Sequence, residues 1–117
     1  MRSRFPKSAR LNRASEFARI KAEGQTSHGK YFVLGSLQTE EKLPARIGLI
    51  TSRRIGCAVE RNRVRRRLRE LARKSRLEIK QGLQLVLVAR RRAVSASFSE
   101  LEEDWLRASQ RAGIFKP

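Results

Sequence analysis

Hydrophobic positions recur along this chain with two periods, and the changes of period divide it into elements. Ala14, Phe17, Ala18 and Ile20 keep helical spacing. Asn12 is placed to cap this first helix and Gly24 to end it as a C′ glycine. Gln25 to Lys30 reads as a turn, and Tyr31 to Leu37, aromatic and β-branched at its start, as a strand. Glu40-Glu41-Lys42 then reads as a charged hairpin loop leading into a second strand, Ala45 to Ser52, where Gly48 marks a bulge or a close approach. After a turn at Arg53 to Gly56, the stretch Ala58 to Arg73 places Val64, Leu68 and Leu71 on one helical stripe with Ala72 at its edge. Leu83 to Ala89 is a nearly continuous apolar run of strand length, as a strand covered on both faces requires, and belongs at the centre of the sheet. In the last helix Ser97 and Glu100 form a capping box, and Phe98, Leu101, Trp105, Ala108 and Ala112 follow one face to Gly113. The order α-β-β-α-β-α predicts an α+β fold, a small central sheet packed by helices.

With 117 residues the chain makes one domain, 1–117, and residues 1–10, basic and polar around Phe5-Pro6, read as an extended arm. Charge changes the picture most. A formal net charge of +17 and a pI near 11.7 point to a polyanionic partner, with nucleic acid first. A membrane-surface helix would show a Trp/Phe/Leu face, whereas the basic helix offers Val, Leu and Ala. No apolar run approaches the roughly 18 residues that cross a bilayer, and no apolar segment follows the basic start, so a cytoplasmic location without membrane contact is expected.

Cys57 is the single cysteine, which excludes an internal disulfide and any multi-cysteine metal site. It reads as a small buried residue rather than an activated thiol. His28, alone in a predicted turn, reads as solvated or phosphate-contacting. The acids Glu100, Glu102, Glu103 and Asp104 crowd the start of the last helix, where its dipole accounts for them without a metal site. Trp105 and Phe98, at helical spacing with Leu101, read as core.

What remains is the basic helix itself. Asn62, Arg66, Arg69 and Arg73, spaced by four, three and four residues, make a second stripe almost opposite the apolar one. Like charges at that spacing repel by a few tenths of a kcal/mol per pair, and a polyanion reverses the sign. From composition alone, a ribosomal or RNA-chaperone-type binder would show the same charge and use the same helix.

The run from Arg46 to Arg66, with Thr51-Ser52-Arg53-Arg54-Ile55-Gly56 leading into Ala58-Val59-Glu60-Arg61-Asn62-Arg63-Val64-Arg65-Arg66, strongly resembles the protein subunit of bacterial ribonuclease P. The likeness extends over Leu11 to Gly24, Phe32-Val33-Leu34 and Leu85 to Arg90. It implies an α/β sandwich with a left-handed crossover at the basic helix. It also implies a ribonucleoprotein endoribonuclease that removes the 5′ leader from precursor tRNA, with catalysis carried by an RNA subunit holding Mg²⁺ and no stable protein partner. By the same resemblance Arg61, Asn62, Arg63, Arg65 and Arg66 contact the catalytic RNA, joined by Arg53, Arg54 and the stripe residues Arg69 and Arg73. The leader then lies in a cleft lined by Phe17, Val33 and Ser52. Lys21 and Gly35 stand where some members carry a second and third aromatic, so stacking, worth about 1–3 kcal/mol per base, is expected to contribute less here.

Overall fold

The computed structural model describes residues 10, 11 and 14–117. Residues 1–9 of the expected arm and the expected cap Asn12 lie outside the described residues.

The elements run α1 (Ala14–Glu23), β1 (Gln25–His28), β2 (Phe32–Gln38), β3 (Arg46–Ile50), α2 (Ala58–Ser75), β4 (Leu83–Ala89) and α3 (Phe98–Ala112). The sheet order is β1-β2-β4-β3. β1 and β4 pair with β2 antiparallel, and β3 pairs with β4 in parallel through the α2 crossover. As the unbroken apolar run requires, β4 is interior to the sheet, with six of its seven residues buried.

Period-two alternation sorts the side chains onto two faces. Phe32 and Leu34 of β2, Ile47 of β3, and Leu85 and Leu87 of β4 face α2 and α3, where Val64, Leu68, Leu71, Leu101 and Trp105 complete the main core. The core stripe read for the basic helix is thus the buried one. Trp105 donates its indole N–H to Ser75 Oγ at 3.0 Å, so its one polar atom is satisfied inside. On the other face a smaller cluster, Leu11, Ile20 and Val86, is flanked by half-buried Phe17, Leu37, Ile50 and Val88.

Three local expectations give way. Gln25–His28 is a strand, not part of a turn: this polar tetrapeptide is the sheet's edge, mostly exposed, so it carries no apolar alternation to announce it. The loop after β2 closes no hairpin, because β4 lies between β2 and β3. It is instead tied to the turn before β4, with Thr39 N–H donating to Gly82 O at 2.9 Å and Gly82 N–H to Leu43 O at 2.8 Å. The most apolar strand gains two neighbours by that insertion. Gly24 ends α1 without a left-handed backbone; any Cβ there would collide with the carbonyl oxygen of Ser36, so close packing against β2 requires the glycine.

The acids of α3 do more than balance its dipole. The capping box forms as read, with Ser97 N–H donating to Glu100 Oε1 at 2.9 Å and Glu100 N–H to Ser97 Oγ at 3.1 Å. Asp104, 3% exposed, accepts the amides of Lys30 and Tyr31, both at 2.8 Å, and so fixes the β1–β2 turn. Asp104→Asn sets an NH₂ against one of those buried amides, at a cost of about 1–3 kcal/mol. A lowered urea midpoint is expected, and an unchanged midpoint would remove this role.

Candidate nucleic-acid interface

Helix α2 is capped by Cys57, whose N–H donates to Glu60 Oε1 at 3.0 Å. That bond holds the Glu60 carboxyl below the usual range, so this cap contributes above the ordinary carboxylate pKa and is lost as pH falls through the lowered value. Cys57 is exposed, not buried. An N-cap stands outside the first turn, beyond the packed stripe, which is why the small-core reading fails there.

Eighteen residues of helix turn the arginines of α2 in three directions. Outward, Asn62 and Arg66 are exposed. With Val59, Arg65 and Arg69 they line an open groove of about 510 Å³. Arg69 is half-buried, and burial together with the neighbouring charges of Arg10 and Arg65 lowers its pKa from the ordinary guanidinium value. Toward β3, Arg65 donates to buried Thr51 Oγ1 from Nη2 at 2.6 Å and from Nε at 3.1 Å, so its planar group is held at the sheet end. Toward the 3-10 turn Arg91–Ser95, Arg63 donates to Val94 O at 3.2 Å and Arg67 to Ala96 O at 2.6 Å.

The nine expected contacts to catalytic RNA therefore differ in position. Arg53, Arg54, Asn62 and Arg66 project into solvent. Arg61 folds back onto Gly56 O at 3.2 Å, and Arg63 and Arg65 are engaged as described. Arg73 forms a two-bond ion pair with Glu70, at 2.6 and 3.0 Å, which raises its pKa from the ordinary guanidinium value. The helical repeat locates these residues around the axis but says nothing of the carbonyls they reach.

On the α1 side of the sheet, Val33, Val88 and Ile50 occupy one register row across β2, β4 and β3. The row spans two strand spacings, about 10 Å. All three are half-buried, and Ile50 and Val88 pack against the small cluster that holds Ile20 of α1. Phe17 lies against Gly48, one register step inward; a Cβ on Gly48 would collide with the Phe17 ring. Gly48 is thus the close approach its place in the strand suggested. Ser52 follows β3, exposed, at the same end of the sheet. Phe17, Val33 and Ser52 share this end, joined by Ile50 and Val88, which the sequence reading did not select. Strand alternation carried that signal once the pairing of β3 with β4 is known. At Gly35 a Cβ would meet Val86 Cγ1 at 2.9 Å and Ile20 Cγ2 at 3.1 Å, so here α1 occupies the space a side chain would take. His28 lies in β1, its Nδ1 3.3 Å from Arg90 Nη2.

Among the described residues, no helix is long and apolar enough to cross a membrane.

A family model described as Ribonuclease P matches residues 5–113. The ribonuclease P protein component of Bacillus cereus strain AH187 is 32% identical over 108 residues, covering 92% of this chain and 94% of that protein. The one from Bacillus anthracis strain CDC 684 is also 32% identical over 108 residues, covering 92% and 91%. Among solved structures, a Staphylococcus aureus RNase P protein superposes with a TM-score of 0.85 at 24% identity, over 94% of this chain and all of that one. A Thermotoga maritima RNase P protein gives 0.77 at 26% identity, over 87% and 96%.

Proposed function

Because the chain belongs to the ribonuclease P protein family, we propose that it joins the family's RNA to form the endoribonuclease that frees the 5′ end of tRNA, with α2 against the catalytic RNA and the α1 side of the sheet against the precursor's leader. One observation carries this division: a single domain presents a guanidinium-rich helix and, at the same end of the sheet, a half-buried apolar row with an aromatic edge. The first suits phosphates, whose contacts position RNA, and the second suits unpaired bases. In this reading Arg53, Arg54, Asn62, Arg66 and Arg69 meet RNA directly. Arg65 does so from the pose Thr51 gives it, and Arg61, Arg63 and Arg73 border the surface. Phe17, Val33 and Ser52, with Ile50 and Val88, line the leader cleft.

The carboxylates of α2 and the one beside Phe17 are engaged within the protein, Glu60 by the Cys57 amide, Glu70 by Arg73 and Glu16 by Arg46. This supports Mg²⁺ being held by the catalytic RNA, where it supplies activation of the attacking water and stabilisation of the leaving oxygen. The protein's own part is to hold precursor and RNA together and to lower the charge repulsion between them.

The test is cleavage of a precursor tRNA at low Mg²⁺ by the protein, by the bacterial ribonuclease P RNA, and by both. Cleavage at the leader junction by the pair, with none by the protein alone, is expected. Cleavage by the protein alone would indicate an autonomous nuclease, and no effect on RNA-directed cleavage would indicate a ribosomal-type binder. Arg66→Ala with Arg69→Ala is expected to weaken binding to the catalytic RNA with circular dichroism unchanged. It should also flatten the slope of log K against log salt by roughly 0.7 to 0.9 per lost phosphate contact. Native affinity and slope would show that this face of α2 is not the contact.

A further inference from the structure

The α1 side of the sheet is built in register rows. One row runs Thr26, Gly35, Val86 and Gly48 across β1, β2, β4 and β3. Helix α1 sits on it, with Ile20 Cγ2 3.1 Å from where a Cβ on Gly35 would stand and the Phe17 ring against Gly48. The next row, two residues away on every strand, is His28, Val33, Val88 and Ile50. Residues directly paired in a sheet carry their side chains on one face, so His28 stands on the same face as the half-buried apolar trio, at the open edge of β1. It is exposed. Three strand spacings, about 14 Å, separate it from Ile50.

Among the described residues, His28 and Phe17 are the only flat rings outside the main core, since Tyr31, Phe32 and Trp105 are buried in it and Phe98 and Phe115 pack against it. Gly35 leaves no room for another, because a Cβ there already meets Val86 Cγ1 at 2.9 Å. The imidazole is held in place from two sides. Arg90, the first residue past β4, donates its amide to Tyr31 O at 2.8 Å, and its Nη2 lies 3.3 Å from His28 Nδ1. Arginine can only donate, so this contact is a hydrogen bond with Nδ1 as acceptor and the ring hydrogen on Nε2. Arg111 Nη2 in turn donates to His28 O at 2.7 Å and fixes the backbone. An exposed ring tethered in this way loses little freedom when a base settles on it, and imidazole is one of the side chains on which unpaired bases stack.

We propose that His28 is a second station for the leader, its imidazole stacking on an unpaired base farther from the cleavage junction than the base on Phe17. The proposal rests on the reading above that this side of the sheet takes the leader, and it adds the direction in which the leader runs. In that reading the catalytic RNA lies along α2, which follows β3 in the chain, and Phe17 sits against β3 while β1 is the opposite edge of the sheet. A leader that enters beside β3 and follows the outer row passes Phe17 first and leaves over His28. Leaders too short to cross the sheet gain nothing from His28. Stacking tolerates any base, so the station reads leader length and not leader sequence.

The experiment measures dissociation constants of the assembled enzyme, at fixed salt and pH, for mature tRNA and for precursors whose leader grows one nucleotide at a time. Wild-type protein is compared with His28→Ala and His28→Phe. The wild type should gain affinity in two steps of leader length. His28→Ala should keep the first step and lose the second, binding long-leader precursors roughly fivefold or more weakly, while mature tRNA and the catalytic RNA bind as they do to wild type. An abasic nucleotide at the leader position of the second step should bring wild type down to the level of His28→Ala. His28→Phe, which keeps a flat ring, should retain the second step, and that rescue separates stacking from a disturbed β1 edge. Unchanged affinity of His28→Ala for every leader would overturn the station. So would a loss shared by mature tRNA or the shortest leaders, or an equal loss in His28→Phe. A wild type that gains no affinity with leader length would overturn the leader-cleft reading itself, and the station with it.

Discussion

Leu68→Ala should remove about 2–5 kcal/mol of stability, as expected of a fully buried leucine on α2. Leu68 is fully buried on the stripe shared by Val64, Leu71 and Ala72, beneath β3, β4 and α3. The range reflects how far the surroundings close around the cavity. A domain of this size holds roughly 5–15 kcal/mol in all, so the variant should melt well below the parent yet still fold at low temperature. Its RNA defect should follow the unfolded fraction: catalytic RNA that binds only the folded protein restores the fold by mass action, and saturating RNA should recover a near-native complex. Arg66→Ala, two residues away on the opposite side of the helix and exposed, should show the reverse, native melting with weakened RNA binding. A native melting temperature for Leu68→Ala would show that the helix turns another face to the core.

That contrast was legible in the sequence because α2 is long and strictly periodic. Val64, Leu68 and Leu71 could be buried together only on one side, and the structure buries them there. The same holds for β4, whose unbroken apolar run admitted only an interior position, and for the Ser97 and Glu100 cap. What was not legible depends on partners distant in sequence. Gln25–His28 became a strand because β2 offered it an edge, and nothing in four polar residues announces that. The pairing of β3 with β4 was hidden by the habit of neighbouring strands to form hairpins. Once it is known, Ile50 and Val88 fall beside Val33, and the turn at Arg91–Ser95 falls beside Arg53 and Arg54. Arg63 and Arg65 came from the family resemblance and not from the helical stripe, and their engagement with Val94 O and Thr51 Oγ1 follows from how α2 lies across the sheet.

Phe17→Leu should narrow the holoenzyme's preference for precursor over mature tRNA, through loss of the ring that closes the leader cleft. Phe17 is half-buried against Gly48, with Ile50 and Val88 in the same cluster. Leucine keeps most of the apolar volume, so stability should stay within about 1.5 kcal/mol of native, while stacking worth about 1–3 kcal/mol per base is lost. That corresponds to roughly five- to more than a hundredfold in affinity for a leader whose base rests on the ring. Mature tRNA, without a leader, should be unaffected. The deciding measurement is the pair of dissociation constants for the assembled enzyme, one with a precursor carrying a several-nucleotide leader and one with mature tRNA, at one fixed salt concentration because phosphate contacts otherwise dominate. The account predicts that wild-type enzyme favours the precursor and that Phe17→Leu weakens the precursor alone. Equal affinities for the two RNAs in the wild type, or a variant that weakens both alike or neither, would contradict it.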